Sequence, residues 1–147
     1  MAANVIYRGP IAQEPETINL PVAGAYLPGI FVTSDGGALT QAVAADATGR
    51  IFVLGNRRFY GQGPDEAYPD GDTGVAYELE PGHKYSVQFA AGTYSPGDEL
   101  TIDANGRLAA AGLDAAVVAT YDDAGATLTA GDRADVVIAF RSRTAPA

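Results

Sequence analysis

The sequence predicts an all-β fold, a small barrel or sandwich, on three observations. Its apolar segments are short and bounded by turn residues. Gly and Pro supply 18 and 9 of the 147 residues, a density of chain reversals that argues against a helical bundle. One seven-residue segment occurs twice, so two related β units are expected.

Nine strands follow in order: Thr17–Val22, Gly29–Ser34, Ala38–Ala44, Arg50–Leu54, Gly74–Leu79, Tyr85–Ala90, Glu99–Asp103, Ala115–Tyr121 and Ala134–Arg141. They are rich in Val, Ile, Phe, Tyr and Thr, the residues a pleated, half-buried surface favours. Turn chemistry separates them at Ser34-Asp35-Gly36-Gly37, Asp46-Ala47-Thr48-Gly49, Pro69-Asp70-Gly71-Asp72, Glu80-Pro81-Gly82, Asp103-Ala104-Asn105-Gly106 and Ala130-Gly131-Asp132. Only Leu108–Ala119, with its Ala run, competes as a helix, and Gly112 interrupts it at a cost of about 1 kcal/mol.

The repeated segment is Ala23-Gly24-Ala25-Tyr26-Leu27-Pro28-Gly29, which returns as Ala91-Gly92-Thr93-Tyr94-Ser95-Pro96-Gly97. In each copy Pro presets φ and the following Gly accepts a positive φ, which makes a tight corner. Duplication is one reading, and chance reuse of a convenient turn is the other. The expected organisation is an extended N-terminal arm over 1–16, a first β unit over 17–54, a long central loop over 55–74, a second β unit over 75–141 and a tail over 142–147. The loop, rich in Gly, Pro, aromatics and charge, reads as a contact surface or as a mobile excursion.

Composition narrows the function. Nine Lys and Arg stand against 18 Asp and Glu, giving a net charge of −9, and the only Lys is Lys84. Nucleic acid and anionic membranes both select clustered bases, so neither is expected as a partner. Without Cys there is no disulfide framework, thiolate zinc site or Cys nucleophile. The first ten residues lack the basic and apolar regions of a signal peptide, and no apolar run has the length of a membrane span, which predicts synthesis in a cytoplasm. Leu, Ile, Val and Phe are sparse beside 28 Ala, so the core is expected to be thin.

The residues give little support to catalysis. His83, the one imidazole, sits in the turn Pro81-Gly82-His83-Lys84, where a solvated side chain is expected rather than a general base. No phosphate-binding Gly loop is present. Asp70-Gly71-Asp72-Thr73-Gly74 resembles the opening of a calcium loop, but the position that should carry a bidentate Glu is Pro81, so a solvated acidic turn is the expectation and no metal or cofactor is assigned. Asp65, Glu66, Glu78 and Glu80 add to this acidic stretch, and a carboxylate enzyme would need them to line a concave pocket. Arg8, Arg57, Arg58, Arg141 and Arg143 lie on the arm, loop and tail, positions suited to pairing with carboxylates of another chain or simply to solubility.

The stretch Ala91-Gly92-Thr93-Tyr94-Ser95-Pro96-Gly97-Asp98-Glu99-Leu100-Thr101-Ile102-Asp103-Ala104-Asn105-Gly106-Arg107-Leu108, with the strand Ala116-Val117-Val118-Ala119 and Ala130-Gly131-Asp132 leading into Val136-Val137-Ile138, resembles the capsid cement, or head decoration, proteins of tailed bacteriophages. The likeness rests on a Pro-Gly-Asp turn, an Asp-x-x-Gly-Arg-Leu hairpin and a closing Gly-Asp turn with an apolar strand, over roughly residues 85–140. The first half departs from the family's compact single-unit form. The resemblance implies a non-enzymatic virion protein on the capsid exterior. It would bind at junctions between major capsid protein subunits, often as a homotrimer.

On that reading the expected capsid or subunit contacts are Tyr7 and Arg8 in the arm, Arg57, Arg58, Phe59 and Tyr60 in the loop, and Arg141 and Arg143 at the tail. The competing expectation is a carbohydrate- or receptor-binding β module with Tyr60, Tyr68, Asp70 and Asp72 as a sugar platform.

Overall fold

The computed structural model describes residues 6–10, 15–35, 37–45, 50–57, 61–112 and 115–142. These residues form thirteen strands in sheets and no helix. In order they are β1 (Tyr7–Gly9), β2 (Thr17–Pro21), β3 (Phe31–Asp35), β4 (Ala38–Gln41), β5 (Ile51–Leu54), β6 (Thr73–Glu78), β7 (Lys84–Gln88), β8 (Gly92–Tyr94), β9 (Glu99–Ile102), β10 (Leu108–Ala110), β11 (Ala116–Tyr121), β12 (Ala126–Leu128) and β13 (Arg133–Ser142). The nine expected strands are all present within a few residues of their expected ends. The four additional ones, β1, β8, β10 and β12, are three residues each, too short to show a period of two. The Ala run that competed as a helix is divided between β10 and β11.

Two antiparallel sheets carry the fold, ordered β2-β6-β5-β3-β4 and β1-β7-β13-β11-β9-β10, with β8 and β12 as a separate ribbon. Without β1, the two sheets have one topology. Each places its first, fifth, fourth, second and third strands side by side, β2 to β6 in one and β7, β9, β10, β11 and β13 in the other. The correspondence reaches single hydrogen bonds. The Val22 amide donates to Asp72 O at 2.9 Å and accepts through its own carbonyl from Gly71 N at 3.0 Å; Phe89 does the same with Asp132 and Gly131, both at 2.9 Å. Ala23 N donates to Leu39 O as Ala90 N donates to Leu108 O. The repeated segment thus marks a repeated topology.

Each sheet curls until its edges meet at one isolated parallel bridge, Val22 with Leu39 and Phe89 with Leu108. Closure stops there, so the architecture is sandwich-like and the expected alternative of a barrel does not form. Alternation then sorts the side chains. Phe31, Val53 and Tyr77 of the first sheet face the second and join Tyr85, Val87, Phe89, Leu100, Val136 and Ile138 in the main core. Val32, Phe52, Leu54 and Ala76 point the opposite way, into a smaller core with Val22, Leu39 and Tyr68. Polar tips of the core tyrosines are satisfied by backbone carbonyls: Tyr94 donates to Ala90 O at 2.8 Å and Tyr121 to Ala124 O at 2.7 Å.

Two expected boundaries change. β6 hydrogen-bonds to both β2 and β5, so it completes the first sheet and the unit boundary falls in the turn before β7. The β5–β6 connection over 55–72 is consequently an excursion inside the first unit, equivalent to the β11–β13 connection of the second, and the last two residues of the expected 55–74 loop belong to β6. The N-terminal segment over 6–10 is also no free arm: β1 pairs with β7 at the edge of the second sheet, and Ile6 is buried in the main core.

Candidate functional site

Tyr7 and Arg8, expected as contact residues on an arm, are held by the strand pairing of β1. The Tyr7 ring is half-buried, 5.7 Å from Tyr77, 5.4 Å from Tyr85 and edge-on to His83, and its hydroxyl donates to Pro10 O at 2.5 Å. This covering explains why His83, expected in solvent, is buried with only 6% of its surface exposed. Arg8 pairs with Asp135 at 3.4 Å. Burial nevertheless holds the Asp135 carboxyl above its ordinary range; Arg8 and Lys84 oppose that rise, and Asp123 and Asp122 reinforce it.

In the central excursion, Arg57 turns back onto the protein. Its guanidinium lies 5.0 Å from the Tyr68 ring centre, pairs with Asp72 at 3.4 Å and donates from Nε to Gln62 Oε1 at 3.4 Å. Gln62 also accepts the Arg57 amide at 2.8 Å, and the buried Asn56 amide donates to Gln62 O at 2.7 Å. Arg133 of β13 ties the excursion to the second sheet, through Asp65 at 2.9 Å and Pro64 O at 2.8 Å. Arg58, Phe59, Tyr60 and Arg143 lie outside the described residues, and of Arg141 only the backbone is described, opposite Val117 on β11. The described candidates are therefore secured by separate sets of partners.

Tyr68 takes no part in the expected sugar platform. Its side chain is 0% exposed; its hydroxyl donates to Gly55 O at 2.6 Å and accepts from Val75 N at 3.3 Å. A ring enclosed on all sides cannot stack on a ligand, and Asp72 of the same set is taken by Arg57. Among the described residues no three His, Asp or Glu side chains converge as metal ligands.

Two depressions are lined by described residues. An open groove of about 520 Å³ on the first sheet is lined by Ile18, Asn19, Leu20, Ser34, Arg50 and Phe52, and the charge of Arg50 is met there by Glu78. The other, about 270 Å³, opens where the first repeated corner meets the β9–β10 hairpin. Tyr26, Leu27, Ile30 and Gln41 form one wall, and Gln88, Asn105 and Arg107 the other. Gln88 is 3% exposed and joins the units: its Nε2 donates to Pro28 O at 3.1 Å and its Oε1 accepts from Arg107 Nε at 3.3 Å. Gln41 closes the rim through a bond from Nε2 to Ala104 O at 3.3 Å.

Sequence reasoning did not single out this cavity. Arg107 was visible in the Asp-x-x-Gly-Arg-Leu pattern, but its lining partners come from four separate stretches of chain. No protein-family model matches this chain, and no curated protein matches its sequence.

Proposed function

We propose that this chain is a non-enzymatic capsid decoration protein. On this reading it binds the outer surface of a tailed-phage head at junctions between major capsid protein subunits, as a homo-oligomer with a trimer favoured. The observation that carries the reading is that each motif of the resemblance is a hydrogen-bonded corner of the second sheet. Gly97, Gly106 and Gly131 all adopt positive φ, at 88°, 71° and 94°. Their amides donate to Tyr121 O, Asp103 O and Phe89 O respectively. The likeness therefore rests on residues that shape the domain.

An exposed aromatic next to an Arg also supports a protein partner. Phe140 on β13 is 51% exposed and precedes Arg141, and aromatic and Arg side chains are enriched at protein interfaces. The test is co-sedimentation of the purified chain with phage heads prepared without it, followed by melting of the heads. Saturation at a fixed ratio to capsid subunits with a raised melting temperature is the expected outcome, because a ligand that binds only the assembled state stabilises it. Absence of binding to heads of the phage encoding it would overturn the reading.

A further inference from the structure

The chain is acidic, and its described cations are almost all neutralised within it. Arg8 pairs with Asp135, Arg50 with Glu78, Arg57 with Asp72, Lys84 with Asp122 and Arg133 with Asp65. Among the described side chains Arg107 alone has no carboxylate partner, although acids adjoin it in sequence and space. Those acids are used by turns. Asp103 Oδ1 accepts the amides of Asn105 and Arg107 at 2.8 and 3.0 Å. Asp132 follows Gly131, whose Cβ position lies 3.7 Å from Arg107 Nη2, yet its carboxylate accepts the Thr129 amide and hydroxyl at 2.9 and 3.0 Å.

Arg107 is also oriented. Its Nε is bound by Gln88, itself buried and bonded to Pro28 O, so the guanidinium is held from behind at the wall of the 270 Å³ cavity. A fork-shaped cation left without an anion, in a polar recess, is arranged for a carboxylate. The other polar groups there are the uncharged Asn105 amide, Gln41 and the Tyr26 hydroxyl, which accepts from Gln41 N at 3.2 Å and keeps its own proton to donate. Such donor-acceptor groups match sugar hydroxyls. The volume lies below that of drug-sized sites, about 300–1,000 Å³, and admits a unit the size of a monosaccharide.

We infer that the cavity between the first repeated corner and the β9–β10 hairpin is a binding site for a carboxylated monosaccharide unit of the hexuronate class, with Arg107 holding its carboxylate. The site is independent of the capsid reading, and its test requires no phage heads.

The experiment is calorimetric titration of the full chain with glucuronate, glucose and glutarate, paired with amide chemical shifts. Saturable binding of glucuronate is expected, with glucose and glutarate each weaker by about tenfold or more. Arg107→Gln should lose at least about tenfold in affinity, Arg107→Lys should fall between, and Arg50→Gln should bind as the parent does. In the unmutated chain the side-chain amide signals of Gln88 and Asn105 should move on addition of glucuronate, a readout that needs no variant. Equal glucuronate affinity in Arg107→Gln, shifts confined to other parts of the chain, or no saturation would each overturn the site. Glutarate binding as tightly as glucuronate would overturn the sugar class.

Discussion

The Tyr68 hydroxyl donates to the Gly55 carbonyl at 2.6 Å, and this bond closes the 55–72 excursion over the smaller core. The same oxygen accepts from Val75 N, so one buried phenol links the end of β5 to β6. Tyr68→Phe should leave the Gly55 carbonyl buried and unpaired, costing about 1–3 kcal/mol. Tyr68→Ala should cost about 3–5 kcal/mol by adding a cavity. Urea unfolding of both variants measures the difference; an unchanged Tyr68→Phe midpoint would show that the bond contributes nothing.

The hairpin glycines of the two repeats allow strain to be separated from crowding. Gly37 has φ +87° with nothing near its Cβ position, whereas Gly106 has φ +71° and its Cβ would sit 2.8 Å from Phe31 O and 3.0 Å from Gln41 Cγ. Gly37→Ala therefore bears only the left-handed backbone cost of about 1–2 kcal/mol. Gly106→Ala adds an overpacking cost of about 1–3 kcal/mol, because a backbone carbonyl must move. Thermal melts should rank the parent above Gly37→Ala and Gly37→Ala above Gly106→Ala; equal losses would mean that the two hairpins are not under different constraint.

The N-terminal strand should behave as core. Ile6 is 1% exposed, and its carbonyl accepts Ser86 N at 2.8 Å. Ile6→Ala is expected to cost about 2–5 kcal/mol. Truncation before residue 10 should in addition uncover His83, read as a shift of its ring resonances. A truncated chain as stable as the full one would make β1 dispensable.

High pH should unfold the protein through its tyrosines. Burial pushes the Tyr85 hydroxyl far above its ordinary pKa, with Tyr7, Tyr77 and Glu80 adding to the effect; burial also raises Tyr68, against the Val75 amide and Arg57. Above about pH 10 the unfolded chain loses phenolic protons that the folded chain retains, so stability is level below that pH and falls as pH rises through it. Tyrosinate absorbance and near-ultraviolet dichroism should then change together. Full ionisation with native dichroism intact would contradict this enclosure.

Residues that act on their sequence neighbours were legible; residues that act at a distance were not. The repeat could be read because its elements are local. Tyr26 folds back over Gly24 and Tyr94 over Gly92, with ring atoms within about 3.5 Å of each glycine's Cβ position, while Gly29 and Gly97 take φ of +91° and +88°. The equivalence of five strands was hidden because core positions exchange freely, Val22 for Phe89 at one bridge. Tyr68 reads in the sequence as an exposed sugar contact, because nothing in Ala67-Tyr68-Pro69-Asp70 shows that its hydroxyl reaches Gly55 and Val75. Arg107 was conspicuous as a turn residue, but only the fold shows that Asp103 and Asp132 are committed to amides and leave it without a carboxylate.

Phe140 offers a test of the protein-interface reading that leaves the cores intact. It follows the buried Ile138 on β13 by two residues, yet remains 51% exposed, beyond the last register pair of β13 with β7 and within the irregular pairing of β13 with β11. Truncating a half-exposed ring removes few buried contacts, so Phe140→Ser should change folding stability by no more than about 0.5–1 kcal/mol. A central aromatic at an interface is a different matter, since such anchors commonly carry 2 kcal/mol or more, which corresponds to about thirtyfold in affinity. Phe140→Ser should therefore keep its melting temperature and lose saturation on phage heads at concentrations where the parent chain saturates. Full saturation by the variant would place Phe140 on the solvent side of the assembled shell.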